Sequence, residues 1–224
     1  MSSYRPLRSR SVWFMIILAI GVGAAYFMIR DKEVLPVYGP RQVRRDMVDP
    51  EVFRRKGPHF IDDFRLTDQQ GRPVSLADLK GRVIVADFFF TTCATICPRM
   101  TAEMERVQDA YSGDTRIVLL SHSVTPEIDS VAALAAYAEL HDADPRMWHF
   151  LTGDRKHIYD LARRSYFVAL DEGDGGPNDF VHTENFVLVD TLRRIRGYYD
   201  GTSAKDVDRL IQDIEKLLQE EPMP

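Results

Sequence analysis

The chain has 224 residues, of which 45% are hydrophobic and 28% are charged, a composition typical of one globular domain with an appendage. Its net charge of -5 gives no support for nucleic-acid binding, because nucleic-acid-binding domains carry a surplus of basic residues. Two cysteines are too few for the disulfide framework of a small secreted domain, so we interpret them as a chemical site.

An uncharged apolar run lies near the N-terminus, over residues 12–29. A helix of this length can just cross a hydrocarbon core of ~30 Å, because each helical residue adds ~1.5 Å. We therefore predict a single transmembrane anchor over 11–30. A cleaved signal peptide is the alternative, because Gly23, Ala24 and Ala25 could form a small-residue cleavage site.

Basic residues before the apolar run indicate its orientation. Arg5, Arg8 and Arg10 precede it, and positive charges stay on the cytoplasmic side of a membrane. We expect residues 1–10 in the cytoplasm and the functional domain on the periplasmic side of the inner membrane, or an equivalent extracytoplasmic side. A free pair of thiols there tends to become oxidised unless a reductant or a metal intervenes.

The segment over residues 31–57 is charged and broken by prolines, and it has no sustained apolar period. We predict a juxtamembrane linker that lifts the domain off the bilayer, with room for part of it to pack as an irregular arm. We place the folded domain over 58–220.

Hydrophobic periodicity and turn residues predict the order of elements in that domain. A parallel strand–helix–strand unit followed by a hairpin and a terminal helix predicts a thioredoxin-like α/β sandwich. In chain order we predict a strand over 60–66, a helical turn capped by Ser75, a buried strand over 83–90, a helix after the cysteines, a strand over 116–124, a helix over 129–141, a short strand over 148–151, a helix over 154–165, a short strand over 166–170, a hairpin of 185–190 with 195–199, and a helix over 203–219.

Cys93 and Cys97 follow the buried strand, and Pro98 suits the first turn of a helix. A helix N-terminus lowers the pKa of a nearby thiol, because its free N–H groups and dipole stabilise the thiolate. The pair could transfer electrons, bind a metal or form a structural disulfide. A disulfide that closes so short a loop removes little entropy from the unfolded chain, which disfavours the structural disulfide.

Cysteines at positions i and i+4 can converge on one ion, but a third ligand must come from elsewhere. His182 is our candidate, because it follows a loop rich in Gly and Asp and directly precedes the hairpin. In a thioredoxin-like sandwich that loop lies against the cysteine turn. Two thiolates and one imidazole suit Cu(I), while Cu(II) and Zn(II) remain chemically possible. His122, at the end of a predicted strand, is the alternative ligand and otherwise a packed core residue.

Asp87 lies inside the apolar strand, six residues before Cys93. Thioredoxins carry a buried acid at a matching place, where it takes part in thiol proton transfer. Burial would raise the pKa of this carboxyl, which suits proton exchange with a thiol. The alternative is that Asp87 only hydrogen-bonds nearby backbone. No proline directly precedes the strand at Asn185, where thioredoxins keep a cis-proline that docks disulfide substrates, and this favours metal over substrate disulfides.

Four motifs give the chain a family resemblance over about residues 60–215. Their order and spacing resemble those of the Sco/SenC copper chaperones: Thr91-x-Cys93-x-x-x-Cys97-Pro98, Ser123-Val124-x-Pro126-Glu127, Leu151-Thr152-Gly153 and His182-Thr183. The resemblance implies a membrane-anchored, thioredoxin-like protein that binds one copper ion, as Cu(I) or Cu(II), through Cys93, Cys97 and His182. It also implies a role in assembling the CuA centre of cytochrome c oxidase, with the copper-bearing subunit or another cuproprotein as partner. Some members look more like thiol reductants that prepare that site.

Three positions depart from the family pattern. Thr95, Thr125 and Val181 stand where many members carry an acidic residue. None of the three is a copper ligand in the resemblance, so the implied metal triad is unaffected. Glu184 and Asn185 are candidates for orienting the loop that carries His182.

Two functional hypotheses therefore come from the sequence. The first is a copper chaperone, which delivers its ion by ligand exchange and needs a reduced dithiol to load. The second is an extracytoplasmic thiol–disulfide oxidoreductase that acts on the cysteines of a cuproprotein. In it, Cys93 is the nucleophile by position and Asp87 accepts the proton. A zinc-binding or sensor module is a weaker third hypothesis.

Overall fold

The computed structural model describes residues 8–29, 34–169 and 183–220. The chain divides into two compact units, Met1–Val34 and Leu35–Pro224. The described part of the first unit includes helix α1 over Arg8–Ile29. None of the helices in the described ranges meets the length and apolarity needed to span a membrane. The anchor over 11–30 therefore stays a prediction.

The second unit is built on a five-stranded mixed sheet. Its strands are β3 (Val83–Phe89), β4 (Ile117–Ser123), β5 (Trp148–Leu151), β6 (Asn185–Val189) and β7 (Ile195–Asp200), and their order across the sheet is β5-β4-β3-β6-β7. Strand β3 is central and buried along its whole length, with parallel β4 on one side and antiparallel β6 on the other. Strand β5 extends the sheet beyond β4 in parallel, and β7 pairs with β6 as the predicted antiparallel hairpin.

One face of this sheet is covered by three long helices, α3 (Cys97–Ala110), α4 (Val131–Leu140) and α6 (Ala204–Glu220). Apolar side chains at helical spacing, such as Met100 and Met104 of α3, are fully buried against the strands. The stripe that α3 shows in the sequence is therefore a core stripe.

The opposite face is covered by shorter elements. They are α5 (Arg155–Asp160), the π-helical turn Leu161–Ser165, the hairpin of β1 (Arg65–Thr67) with β2 (Pro73–Ser75), and the 3-10 turn Leu76–Leu79. Ser75 and Asp78 form a capping box on that turn, which confirms the predicted cap at Ser75.

Two short strand predictions fail for identifiable reasons. The described part of the strand predicted over 166–170 is irregular, because the N–H groups of Tyr166 and Val168 bond back to Leu161 and Ala162. Phe167 there has a φ of 53°. The strand predicted over 60–66 forms only at its end, since β1 begins at Arg65.

The segment predicted as a linker over 31–57 packs on the second unit from Leu35 onward, where it forms an arm. Tyr38 makes a β-bridge to Ile195, and α2 (Pro50–Arg54) follows. Val48 and Val52 are buried in the core. The folded unit therefore begins well before residue 58, and burial of these apolar residues helps to dock an otherwise charged segment.

Candidate metal centre

The two cysteines lie at the connection between β3 and α3. After Phe89 the chain makes a turn in which the Cys93 N–H donates to the Phe90 carbonyl at 3.2 Å. Helix α3 begins at Cys97, with Pro98 in its first turn as the sequence predicts. Cys97 is buried, while Cys93 is partly exposed. The turn therefore presents one accessible thiol above one enclosed thiol.

The two thiols are chemically unequal. Burial opposes ionisation of Cys93, yet hydrogen bonds from the Cys97 thiol and from the N–H groups of Cys97 and Thr95 lower its pKa to about 7. The Cys97 N–H lies 3.4 Å from the Cys93 sulfur. Burial raises the pKa of Cys97 to about 12, and the neighbouring Cys93 adds to that rise. Above about pH 7 the site thus holds a Cys93 thiolate beside a protonated Cys97 thiol.

Asp87 lies on β3 beneath this turn and is buried. Burial raises the pKa of its carboxyl to about 7, against the opposite effect of a hydrogen bond from Ser121. Its charge also contributes to the raised pKa of Cys97. Among the described residues its Oδ1 atom has no hydrogen-bond partner. The predicted proton acceptor is therefore near the cysteine site and has a suitable pKa.

His182 lies outside the described residues, but the positions that follow it are described. Thr183 accepts hydrogen bonds at its Oγ1 from the Asn185 N–H at 3.2 Å and from the Asn185 side-chain amide at 3.0 Å. Strand β6 begins at Asn185, and Glu184 directly precedes it. Within the described ranges, no three His, Cys, Asp or Glu side chains form a group that could hold a metal ion.

A recess of about 350 Å³ is lined by residues from both the turn that carries the cysteines and the segment that leads into β6. Its lining includes Ile96, the residue before Cys97, and Thr183, the residue after His182. The chain therefore brings the cysteine turn and the segment beside the predicted histidine to one recess. Its remaining lining residues are Met47, Val168, Ala169, Glu184 and Asn185.

His122 lies on the other face of the sheet from Asp87, because neighbouring positions of a strand point to opposite faces. Its ring is fully buried and stacks on Phe88 with a centroid distance of 4.9 Å, with Phe64 and Tyr166 at its edges. Burial lowers its pKa to about 4. His122 is therefore a packed core residue, which is the second of the two roles that the sequence suggested for it.

Asp129 is a site residue that the sequence reasoning missed. Its fully buried carboxyl group accepts hydrogen bonds from the hydroxyl groups of Thr91, Ser123 and Thr125. We expected it to begin the helix over 129–141, but α4 begins at Val131 with Ser130 as its N-cap. Acidic residues before a helix are common, so no sequence pattern indicates that this one contacts the turn that carries the cysteines.

Comparison with known proteins then decides the family. The SCO1/SenC family model matches residues 54–219, which is most of the chain. The chain belongs to the SCO1/SenC family. A relative in Bacillus subtilis strain 168, the SCO1 protein homolog, is 36% identical over 158 residues, which cover 69% of this chain and 80% of the relative.

Solved structures of SCO1/SenC proteins share the fold. A SCO1/SenC family lipoprotein from Bacillus anthracis matches with a TM-score of 0.63 and 32% identity, covering 71% of this chain and 95% of that one. BsSco, a cytochrome c oxidase assembly protein with a disulfide switch, matches with a TM-score of 0.61 and 32% identity, covering 71% and 93%. Bradyrhizobium japonicum ScoI, solved with copper bound, matches with a TM-score of 0.53 and 28% identity, covering 67% and 98%. These matches confirm the predicted thioredoxin-like α/β sandwich.

Proposed function

We propose that this chain is a membrane-anchored copper chaperone for assembly of the CuA centre of cytochrome c oxidase. One copper ion would be held by Cys93, Cys97 and His182. The observation that carries this proposal is the shared recess, because it brings together the sequence neighbours of Cys97 and of His182. Membership of the SCO1/SenC family, with a copper-bound structure among the matches, supports copper as the bound ion.

The donor set suits copper as a cargo ion. Cys93, with its pKa of about 7, is about half deprotonated at pH 7 and can make the first contact with an incoming ion. Cys97 is adjacent, since its N–H lies 3.4 Å from the Cys93 sulfur, and it must lose its proton to become a ligand. Soft thiolates and an imidazole favour copper over hard cations such as Mg²⁺.

Release of the ion would proceed by ligand exchange with thiolates and imidazoles of a recipient protein. The accessible position of Cys93 supports this route, because a partner's ligand can replace the outer thiolate first. Oxidation of Cys93 and Cys97 to a disulfide would block loading, so a thiol reductant is a further expected partner.

Anchoring by α1 belongs to the proposal. Its large apolar side chains between Val12 and Val22 are 42% to 69% exposed, which is unfavourable in water. We infer that α1 holds the chain in the inner membrane or an equivalent membrane as a single-pass segment. The N-terminus would then be cytoplasmic and the SCO1/SenC domain extracytoplasmic.

The test is the copper stoichiometry and Cu(I) affinity of the reduced full-length chain, measured by competition with a chromogenic Cu(I) chelator. We expect one ion per chain in the wild type and a loss of at least about tenfold in affinity in His182→Ala, since one of the three ligands is removed. His157→Ala is the matched control, because it removes an imidazole from α5. Full affinity in His182→Ala would contradict the triad.

The unequal thiols favour a second candidate, a thiol–disulfide oxidoreductase that acts on the cysteines of a cuproprotein. A thiolate with a pKa of about 7 beside a protected thiol is the arrangement of a nucleophile with a resolving partner. The disulfide switch of BsSco is a precedent among the matched structures. In this scheme Cys97→Ser would trap a mixed disulfide at Cys93, and Cys93→Ser would be inactive.

A further inference from the structure

We propose that Asp129 is a positioning residue that holds Cys93 in place through the hydroxyl groups of Thr91, Ser123 and Thr125. We call these four residues the Asp129 latch. They connect the turn that carries the cysteines with the end of β4 and with the turn that leads to α4.

Five donor–acceptor contacts define the latch. Asp129 Oδ1 accepts from the Thr91 hydroxyl at 2.5 Å and from the Thr91 N–H at 3.3 Å. Its Oδ2 accepts from the Ser123 hydroxyl at 2.5 Å and from the Thr125 hydroxyl at 3.0 Å, and lies 3.4 Å from the Thr91 N–H. Because Asp129 is fully buried, these bonds replace its hydration and make its position well defined.

The latch constrains Cys93 from one side. Thr91 is two residues before Cys93, and each residue spans at most ~3.6 Å, so fixing Thr91 confines the following turn. The bond from the Cys93 N–H to the Phe90 carbonyl closes the same turn. The Cys93 sulfur then lies at the Cys97 N–H. Losing the latch should therefore loosen the geometry of the two sulfurs.

A purely structural role as a helix cap does not account for these contacts. The N-cap of α4 is Ser130, whose side chain accepts from the Ala133 N–H at 3.3 Å. In the described structure, all contacts of the Asp129 carboxyl come from residues outside α4. The carboxyl group therefore bonds to the turn that carries the cysteines, to the end of β4 and to the turn after it, and not to α4.

The experiment compares three variants of the full-length chain. Thr91→Val removes the hydroxyl group at nearly constant volume, Thr91→Ser keeps it, and Ser130→Ala removes the cap of α4 as a matched control. Two quantities are measured: amide hydrogen exchange of residues 91–93, and Cu(I) affinity by chelator competition. The copper readout rests on the proposed function, whereas the exchange readout does not.

We expect Thr91→Val to speed exchange over 91–93 and to weaken Cu(I) binding roughly five- to tenfold, the factor that corresponds to one net hydrogen bond. Thr91→Ser should keep the exchange rate and the Cu(I) affinity at their wild-type values. Ser130→Ala should lower the unfolding midpoint and leave the exchange rate and the Cu(I) affinity unchanged. Should Thr91→Val fail to fold, Thr125→Val removes a latch contact that lies outside the cysteine turn, and it should give the same changes at smaller size.

Unchanged exchange in the Val variants would overturn the latch, as would an equal effect of Ser130→Ala. A wild-type chain that binds no Cu(I) would overturn the proposed function, and the exchange data would then decide the latch alone. Faster exchange with unchanged Cu(I) affinity would show that the turn is held by Asp129 but that its position does not matter for the ion.

Discussion

The two cysteine side chains differ more than their symmetric motif indicates. The difference comes from position, because Cys97 begins α3 inside the core whereas Cys93 is partly exposed in the preceding turn. The N–H of Cys97 stabilises a thiolate on Cys93, while the proximity of Cys93 opposes ionisation of Cys97. An incoming ion can therefore reach the Cys93 sulfur from solvent, whereas the Cys97 sulfur is enclosed by the core.

This inequality predicts how the thiols react with iodoacetamide. In the metal-free, reduced chain, Cys93 should be alkylated first, with a rate that rises as pH increases through about 7. Cys97 should stay protected up to strongly alkaline pH, because its pKa is about 12. Peptide mapping by mass spectrometry measures both rates. Equal rates at pH 7 would contradict the assignment.

Buried His122 should make the free energy of unfolding depend on pH, independently of the metal site. Its pKa falls from 6.5 to about 4 on folding, so the unfolded chain binds the proton more tightly. The stability associated with neutral His122 is present above about pH 6.5 and is lost as pH falls toward 4, by up to about 3 kcal/mol.

Urea unfolding at pH 7.5 and pH 5 checks this for the wild type and His122→Leu. The variant should lose less stability between the two pH values than the wild type does, because Leu cannot be protonated. Parallel pH profiles for the two proteins would show that His122 does not titrate in this range.

At the scale of elements, the docking of the arm depends on one capped short helix. Asp49 caps α2 by accepting from the N–H groups of Glu51 and Val52, and its other oxygen lies 2.6 Å from the Arg164 guanidinium. Asp49 is buried, so its contribution to the stability of the second unit should exceed that of an exposed ion pair.

Asp49→Ala should therefore destabilise the second unit by about 1–2 kcal/mol and speed proteolysis within the arm. Asp46→Ala is the control, because Asp46 forms an exposed pair with Arg44. Denaturant midpoints and limited proteolysis measure both effects. If the two variants behave alike, the arm is held by its apolar contacts alone.

Much of the element order was predictable, and the failures share a cause. The strands of the sheet are strongly apolar runs or alternate clearly, and α3 and α6 have long periodic faces, so local pattern decides them. Residues 60–66 and 166–169 are held by contacts that hydrophobic periodicity does not reveal. The Ile61 N–H donates to the Arg193 carbonyl, whereas the N–H groups of Tyr166 and Val168 bond back to the preceding turn. In the arm, two buried valines are outnumbered by charged neighbours, so its sequence resembles that of a linker.

The candidate site was predictable to a similar degree. Cys93 and Cys97 were identifiable from spacing, and Asp87 from a charge inside a buried strand. The Asp129 latch was not, because its partners are distant in sequence and hydroxyl groups carry no distinctive pattern. The split between the two thiol pKa values also required the structure, since it depends on burial.

At the scale of the whole second unit, Arg196 connects three parts of the chain. Its buried guanidinium donates to the carbonyls of Leu35 and Pro36 in the arm, to Asp190 at the hairpin turn, and to Glu220 at the end of α6. A buried cation with this many partners defines a unique arrangement of the parts it joins.

Arg196→Ala should destabilise the second unit by about 3–5 kcal/mol, because it leaves the buried Asp190 and two carbonyl groups without this donor. Lys156→Ala, which removes an exposed pair with Asp160 on α5, should change stability by less than about 0.5 kcal/mol. Chemical unfolding of the two variants measures the difference. A small effect of Arg196→Ala would mean that the arm and α6 are held independently.

The central claim is that one copper ion is bound by Cys93, Cys97 and His182, and its most direct test is X-ray absorption at the copper edge. The reduced full-length chain would be loaded with one equivalent of Cu(I). We predict two sulfur scatterers and one nitrogen scatterer around copper in the wild type, and loss of the nitrogen scatterer in His182→Ala. An unchanged spectrum in that variant, or fewer than two sulfur scatterers in the wild type, would contradict the account.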